Sequence, residues 1–517
     1  MFTLSELFES SLLSVPQNLQ DIMISDVQTD SRKVTSSSLF FALPGIASQG
    51  WDYLPAVAAK GCKVAVVPQD LLSYLKDSLS NDSIVLIPSK DVIRSLSKCL
   101  KYKFCQYPEY LIAVTGTNGK SSISYYIAQL MEKLDFSSGL IGTFGTGPLN
   151  KLVEAAQTTP DQLSLHTMLG DFSSSGLQCV AFEASSHALD QRRIDGVPFK
   201  CAVFSNLSRD HLDYHGSMAC YAKAKRKLFY YPELERVVLN YDDDYFRFMS
   251  EGVTAPIFSY SIKDSAADFF ASDLSYRADG VAFRLHFPKG SREVLLPLLG
   301  EFNVSNALAA VSALWDFVAD KARLLDSLEL LCGAPGRMQK LNVKNTPLVV
   351  VDYAHTPDAL SYALAALKVH VGGRVICVFG CGGDRDKGKR PLMTIAALGA
   401  ADFVWLTSDN PRTENPLDIL SDAMEGVSTE LYERRLFQSV DRHQAIEAAI
   451  NYARPEDVVL IAGKGHETYQ DVMGTKHFFD DVLEEDVKIP DRLEGIDPLT
   501  ANAGQLIEFL RNPTIEM

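Results

Sequence analysis

The run VTGTNGKSS at 114–122 holds residue types able to grip a phosphate. Glycines at 116 and 119 let the backbone bend so that successive N–H groups, including those of Thr117 and Asn118, face one anion. Lys120 adds a full positive charge, and Ser121 offers a hydroxyl to Mg²⁺. The apolar run Tyr110–Val114 precedes it, and Ile123, Ile127, Leu130 and Leu134 recur after it at helical spacing. The order strand, glycine loop, helix would turn a helix dipole toward the same anion. The match to G-x-x-x-x-G-K-[ST] is imperfect, because Val114 stands where the first glycine belongs. An ordinary strand-to-helix turn is the competing reading.

Other chemistry-bearing residues also follow apolar runs. Phe182 leads into EASSH and Phe204 into SNLSRDHLDYHG, placing Glu183 and His211 just past strand ends. Oxygen donors such as Ser121 and Glu183 suit a hard cation, with His211 a less usual third ligand. A solvated carboxylate at 183 and hydrogen-bonded structural histidines at 211 and 215 are the plainer alternatives. HLDYH has the spacing of two helical zinc ligands but lacks the glutamate of H-E-x-x-H, which argues against zinc. Further along, GGDRDKGKR at 382–390 packs four cations and two carboxylates into nine residues. DNPR at 409–412 and GKGHE at 463–467 mix charges in the same way. One such loop is usually a solvated surface; three at consecutive strand ends point to a zwitterionic ligand. Arg385 and Arg412 could clamp carboxylates, while Asp409 and Glu467 could receive an ammonium.

Positioning these loops requires α/β architecture. Strand candidates Leu111–Val114, Gln178–Phe182, Cys201–Phe204 and Val237–Leu239 alternate with helical patterns, predicting a parallel, helix-covered sheet. Runs at Val281–His286 and Glu293–Leu296 alternate in polarity and read as antiparallel edge strands, followed by a helix over 303–319. GAPGRMQ at 333–339 reads as a linker. Beyond it, Leu348–Val351, Val375–Phe379, Phe403–Leu406 and Val458–Ile461 predict a second α/β unit. Residues 1–105, with short apolar runs at Lys63–Val67 and Ser83–Ile87, suggest a small α/β domain. After about residue 490 only Ala503–Arg511 hints at a helix. Ligands of open parallel sheets bind beyond the carboxyl ends of the strands, so a cleft between the two larger units is the expected active site.

Bulk properties narrow the function. A chain of 517 residues, 46% hydrophobic and 22% charged, has the length of roughly three soluble domains. A net charge of −16 argues against nucleic-acid or anionic-membrane binding. Nine scattered cysteines without CxxC fit a reducing compartment. The acidic amino terminus does not read as a secretory signal, and no run has the length of a membrane helix. A cytoplasmic location is expected.

TGTNGKSS, EASSHAL, SNLSRDHLDYHG, YAKAK, GEFNVSNALAA, PGRM, DYAHTPD and DNPR occur here in the order seen in the Mur ligases. The sequence resembles that family from TDSR at 29–32 to GKGHE at 463–467. These are cytoplasmic, ATP-dependent, amide-forming enzymes of peptidoglycan precursor synthesis, and the short glycine loop is the family's own form. The resemblance implies a UDP-sugar domain (1–105), a central ATPase-like domain (106–335) and a Rossmann-like amino-acid domain (336–490), leaving 491–517 without a role. It implies contacts to UDP-MurNAc-L-Ala-D-Glu from Ser31, Thr158, Thr159, Ser185, Gln191 and Arg193. ATP would lie on Gly116–Ser121, with Asn303, Asn306, Arg337, Asp352 and His355. Lys225 of YAKAK aligns with a lysine that similar enzymes carbamylate to N6-carboxylysine, which would join Ser121, Glu183 and His211 around Mg²⁺. The catalytic set implied is Lys120, Glu183, His211 and Lys225.

Within the family, DNPR looks like the signature for meso-diaminopimelate, where lysine-adding relatives replace the arginine. Arg385, Asp409, Asn410, Pro411, Arg412, Gly463 and Glu467 would form that site. An unpaired buried guanidinium could reject lysine by about 10⁴-fold. A monomer acting on small molecules is expected. A folylpolyglutamate-synthetase-like ligase would lack TDSR and DNPR. A P-loop ATPase driving a partner would leave DNPR and GDRD unexplained, and a non-catalytic scaffold is disfavoured because no motif position looks eroded.

Overall fold

Near-continuous apolar runs in consecutive strands give the parallel sheets of this protein two buried faces, since successive side chains point to opposite sides. The computed structural model describes residues 1–9, 13–45, 48–79, 84–155, 157–341, 347–427 and 434–482. The helix hinted at over 503–511 and the segment 491–517 lie outside the described residues. The α/β class expected from the sequence is what the structure shows, with parallel strands in three places. The chain separates into two compact units, Met1–Ser259 with Ser312–Phe317, and Tyr260–Val311 with Val318–Met517.

The first unit contains a small sheet of four parallel strands, Asp26–Gln28, Ser38–Phe41, Val64–Pro68 and Val85–Ser89, in that spatial order. Its faces alternate cleanly: Leu39, Phe41, Val64 and Val66 join one core, and Phe40, Ala42, Ala65 and Val67 the other. The same unit holds five parallel strands in the order Arg236–Asn240, Cys201–Phe204, Tyr110–Thr115, Cys179–Glu183 and Ser138–Gly142. Gly145–Pro148 adds antiparallel at that edge. The chain leaves Tyr110–Thr115 toward one side and returns to pair on the other, so the strand before the glycine loop sits at the reversal of strand order. That is where α/β sheets open a crevice.

In the second unit, Phe269–Arg277, Gly280–Phe287 and Gly290–Leu296 form the expected antiparallel strands. The helix expected over 303–319 runs Glu301–Leu314 and stops, because Asp320 caps a new helix, Lys321–Ser327, accepting from the Arg323 N–H at 3.0 Å. The other sheet has the order Gln339–Leu341, Leu348–Asp352, Val458–Ala462, Val375–Cys381, Phe403–Ser408 and Leu436–Ser439, parallel except for the first. Val350, Cys377, Phe379, Leu406 and Leu460 pack with residues of helices Pro357–Lys368, Lys389–Ala400 and Pro416–Met424. Val351, Ile376, Val378, Trp405 and Ile461 pack on the opposite face with helix Arg442–Tyr452. The linker expected at 333–339 ends in the short edge strand, which begins at Gln339.

One buried carboxylate ties this sheet's lower edge. Asp457 accepts from the Arg374 backbone N–H at 2.7 Å, from the Arg374 guanidinium at 3.0 and 2.6 Å, and from the Arg454 N–H at 2.8 Å. Burial pushes its pKa up, but the Arg374 guanidinium and the backbone donors outweigh burial, so the group sits below its ordinary value. A depressed folded-state pKa gives stability that is present above the unfolded value of about 3.9 and is lost as pH falls through the folded value. Asp457→Ala should destabilise the protein by about 3 kcal/mol in urea unfolding at pH 7, because the arginine loses its partner. The gap between wild type and Asp457→Asn should close as the pH drops below about 4.

Candidate functional site

The glycine loop is shaped by its neighbour at the end of Cys201–Phe204. Gly116 has φ +151°, and a Cβ there would lie 1.9 Å from the Ser205 hydroxyl, so the bend accepts only glycine without movement. Thr117 N–H donates to the Asn206 carbonyl at 2.8 Å, and Asn118 N–H to the Asn206 Oδ1 at 3.0 Å. Ser205 Oγ donates to the Asn118 carbonyl at 2.5 Å. Two of the N–H groups expected to face an anion are therefore turned to Asn206. An anion at this loop would instead meet the positive end of helix Lys120–Lys133, which starts at the left-handed Gly119 (φ +83°).

Two amines converge on this loop. Lys120 Nζ donates to the carbonyls of Gly116 at 3.0 Å and Thr117 at 2.8 Å. Lys225, 1% exposed on helix Met218–Arg226, donates to the same Gly116 carbonyl at 2.7 Å and lies over the Tyr221 ring at 4.5 Å. Burial, and next the charge of Lys120, push the Lys225 ammonium well below the ordinary lysine range.

Glu183 is 2% exposed, with its carboxylate fixed by three donors. Ser121 Oγ lies 2.9 Å from Oε2, Thr143 N–H 2.7 Å from Oε1, and Thr143 Oγ1 3.2 Å from Oε2. Ser121 and Glu183 are thus brought together as a hard-cation site requires. His211, at φ +51°, instead pairs with Asp210 at 3.5 Å and packs edge-on against His187, with ring centroids 4.9 Å apart. His215 lies 2.9 Å from the Ser186 hydroxyl. Among the described residues no three His, Cys, Asp or Glu side chains converge as a metal cage. A serine and one carboxylate still fit Mg²⁺, which retains waters and substrate phosphate oxygens.

The residues expected to hold the sugar-peptide fall into one group and one outlier. Arg193 donates to Gln191 Oε1 at 2.9 and 2.6 Å, to Gln157 at 2.7 Å and to the Thr159 carbonyl at 3.2 Å. Thr159 Oγ1 joins Ser185 Oγ at 3.1 Å, and Thr158 lies 3.4 Å from the Thr143 hydroxyl. Ser31 belongs to the small sheet's loops, where Lys60 binds its carbonyl at 2.9 Å.

In the second unit, Asn303 and Asn306 are buried on helix Glu301–Leu314, 3.3 Å apart. The Arg337 guanidinium stacks 4.7 Å over Tyr353. Asp352 accepts from Met338 N–H and Ala354 N–H, each at 2.8 Å, and His355 lies 2.9 Å from the Tyr353 carbonyl. The DNPR and GKGHE loops meet beside them. Asn410 Nδ2 donates to Glu467 at 2.8 Å, and the Asp409 carboxylate lies where a Cβ at Gly463 (φ +117°) would come within 2.5 Å. Arg412, left-handed at φ +50°, donates to the Gly383 carbonyl at 2.7 Å, while Gly383 N–H returns to the Asn410 carbonyl at 2.9 Å, just before Pro411. Arg385 is exposed and makes no hydrogen bond or ion pair among the described residues.

Two cations missed by sequence reasoning frame this edge. Arg390, fully buried, binds Glu414 at 2.8 and 3.0 Å and Asp422 at 2.6 Å, buckling the charged loop to the DNPR loop. Its partners hold the Glu414 carboxyl at about 2, chiefly through Arg390. Lys464, also buried, donates to the Tyr469 carbonyl and lies 3.7 Å from Glu467. In sequence they were two cations among many, since burial leaves no local signature.

The Mur ligase middle domain matches residues 114–314, and the Mur ligase glutamate ligase domain residues 336–465. A UDP-N-acetylmuramoyl-L-alanyl-D-glutamate–2,6-diaminopimelate ligase of Ectopseudomonas mendocina is 41% identical over 91% of this chain and 96% of its own. The enzyme of that name from Pseudomonas aeruginosa is 42% identical over 90% of this chain and 95% of its own. This chain belongs to the Mur ligases. A solved structure of a ligase with the same name superimposes with a TM-score of 0.73 at 38% identity, covering 93% of this Mur ligase and 98% of that chain. This Mur ligase is accordingly an ATP-dependent, amide-forming enzyme. Gly116→Ala should weaken nucleotide binding by about tenfold or more, while the thermal midpoint moves only a few degrees; titration calorimetry with ATP and a thermal melt check it.

Proposed function

We propose that this Mur ligase joins meso-2,6-diaminopimelate to the D-glutamyl γ-carboxylate of UDP-MurNAc-L-Ala-D-Glu, with ATP cleaved to ADP and phosphate. It would act as a cytoplasmic monomer on small molecules in peptidoglycan precursor synthesis. The observation that carries the reading is the 409–412 loop, which holds the Arg412 guanidinium against Gly383, ties Asn410 to the Glu467 carboxylate and sets the Asp409 carboxylate against Gly463. Such an edge offers one cation for a carboxylate and two anions for an ammonium, the charge pattern of an amino acid with a second acidic group.

The chemistry follows from charge and exclusion of water. The γ-carboxylate of the dipeptide attacks the γ-phosphate of ATP, and Lys120 at the glycine loop neutralises the charge of that in-line transfer. Arg193, Gln191, Thr159 and Ser185 would orient the dipeptide. Asn303, Asn306, Arg337, Asp352 and His355 would complete the nucleotide's surroundings. Mg²⁺, held by Ser121, Glu183 and a carbamylated Lys225, with His211 joining only on leaving Asp210, would supply further neutralisation of phosphate charge. The Lys225 amine in its neutral form, which burial favours over the free lysine, would add to CO₂ and lose a proton as the carbamate forms. The acceptor amine then displaces phosphate from the acyl phosphate through a tetrahedral intermediate, and water must be kept out until it does.

Lys120→Ala should abolish acyl-phosphate formation, read as loss of substrate-dependent ADP release; ADP release at the normal rate would remove Lys120 from this role. Arg412→Ala should raise KM for diaminopimelate by about 10²-fold while leaving that for ATP within about twofold. A ligation assay offering diaminopimelate and lysine together checks the same claim, since the variant should lose the preference for the diacid.

A further inference from the structure

The hairpin Tyr469–Val472 and Thr475–Phe478 follows the GKGHE loop, past the last matched residue of the glutamate ligase domain. It is attached to the DNPR loop by four hydrogen bonds. Arg412 N–H donates to the Asp471 carbonyl at 2.8 Å, and Met473 N–H to the Arg412 carbonyl at 2.7 Å. Asp471 N–H reaches Asn410 Oδ1 at 2.9 Å, and Gln470 Nε2 the Asp409 carbonyl at 2.9 Å. Arg412 and Val472 thereby pair as an isolated parallel bridge. Arg412 sits at φ +50°, a conformation an L-arginine adopts only when its surroundings impose it. The backbone bonds on both sides of that residue come from this hairpin.

A two-stranded hairpin with Met473 and Phe478 largely exposed has little core of its own. What seats it is the chain just after it. Asp481 is fully buried and forms a two-pronged ion pair with the fully buried Arg442, with Nε and Nη2 each 2.7 Å from a carboxylate oxygen. The same guanidinium donates to the Ala462 carbonyl at 3.1 Å and the Ser408 carbonyl at 3.4 Å. Those are the last strand residues before Gly463 and Asp409. Phe479 and Val482 flank the pair and pack against the adjoining core. A buried ion pair adds little stability over apolar side chains of similar volume, so its geometry is the more telling property. One guanidinium fixes both strand ends and, through Asp481, the hairpin that grips the arginine-bearing loop.

We propose that the hairpin 469–478, seated by the Arg442–Asp481 pair, is a positioning element of the amino-acid site that sets the preference for an acceptor with a second carboxylate. It rests on the reading of the DNPR edge as that site. The hairpin holds Arg412 in its left-handed conformation and fixes the spacing between Asp409 and Glu467. It touches the acceptor only through those residues.

The test compares Arg442→Met/Asp481→Leu, which removes both buried charges together, with Gln470→Leu and with Arg412→Ala. Steady-state constants for diaminopimelate, ATP and the UDP-dipeptide are measured in the full chain, with lysine as competing acceptor. The double variant should raise KM for diaminopimelate by about tenfold and lower selectivity over lysine, with the other two constants within about twofold. Gln470→Leu should act in the same direction by about threefold. A folded double variant with an unchanged diaminopimelate constant, or equal losses for all three substrates, overturns the proposal. Should the double variant not fold, Gln470→Leu decides, and an unchanged constant there overturns it. If Arg412→Ala itself leaves the diaminopimelate constant unchanged, the amino-acid-site reading fails. If Arg412→Ala raises it and the hairpin variants do not, only this inference fails.

Discussion

A parallel sheet delivers the carboxyl end of every strand, and the amino end of every following helix, to one edge. Both large sheets of this protein obey that constraint, and the glycine-loop and DNPR groups depend on it. Glu183 and Ser205 come beside the glycine loop because Cys179–Glu183 and Cys201–Phe204 flank Tyr110–Thr115 in parallel register. Asp409 and Gly463 approach because Phe403–Ser408 and Val458–Ala462 both pair with Val375–Cys381. Residues far apart in the chain thus become neighbours without any long-range motif.

Electrostatics then separate the two edges. At the glycine loop, two amines share one carbonyl, and the more buried of them is pushed toward its neutral form. Such a site favours added negative charge, from phosphate or from a carbamate on Lys225. At the DNPR edge the buried cations Arg390, Arg442 and Lys464 each face carboxylates. That edge is close to balanced, and Arg385, exposed and unbonded among the described residues, stands beyond it. A balanced edge with spare groups of both signs suits a ligand carrying both signs.

Much of this was legible in the sequence, for a definable reason. Strand periodicity, glycines at forced bends and motif order are local, so Leu111–Val114, Cys201–Phe204 and the antiparallel runs 281–286 and 293–296 fell within the observed strands. Motif order also established the family, which the 41% identity to a relative over 91% of the chain supports. The two loop N–H groups taken by Asn206, the left-handed Arg412 and the hairpin attached to it were not legible. Each depends on a partner many residues away.

The sequence by itself determined the residue types, their order and the alternation that builds parallel sheets, because these follow from backbone geometry and local burial. Only the tertiary structure decided which charges are paired. Arg385 and Arg390 stand five residues apart, yet the first is exposed in the loop and the second, at the start of helix Lys389–Ala400, is fully buried between Glu414 and Asp422. Arg442 and Asp481 reveal themselves as a pair only when helix, strand ends and hairpin are packed together. The physical reason is that desolvation and Coulomb attraction depend on distance in space, which separation along the chain does not report.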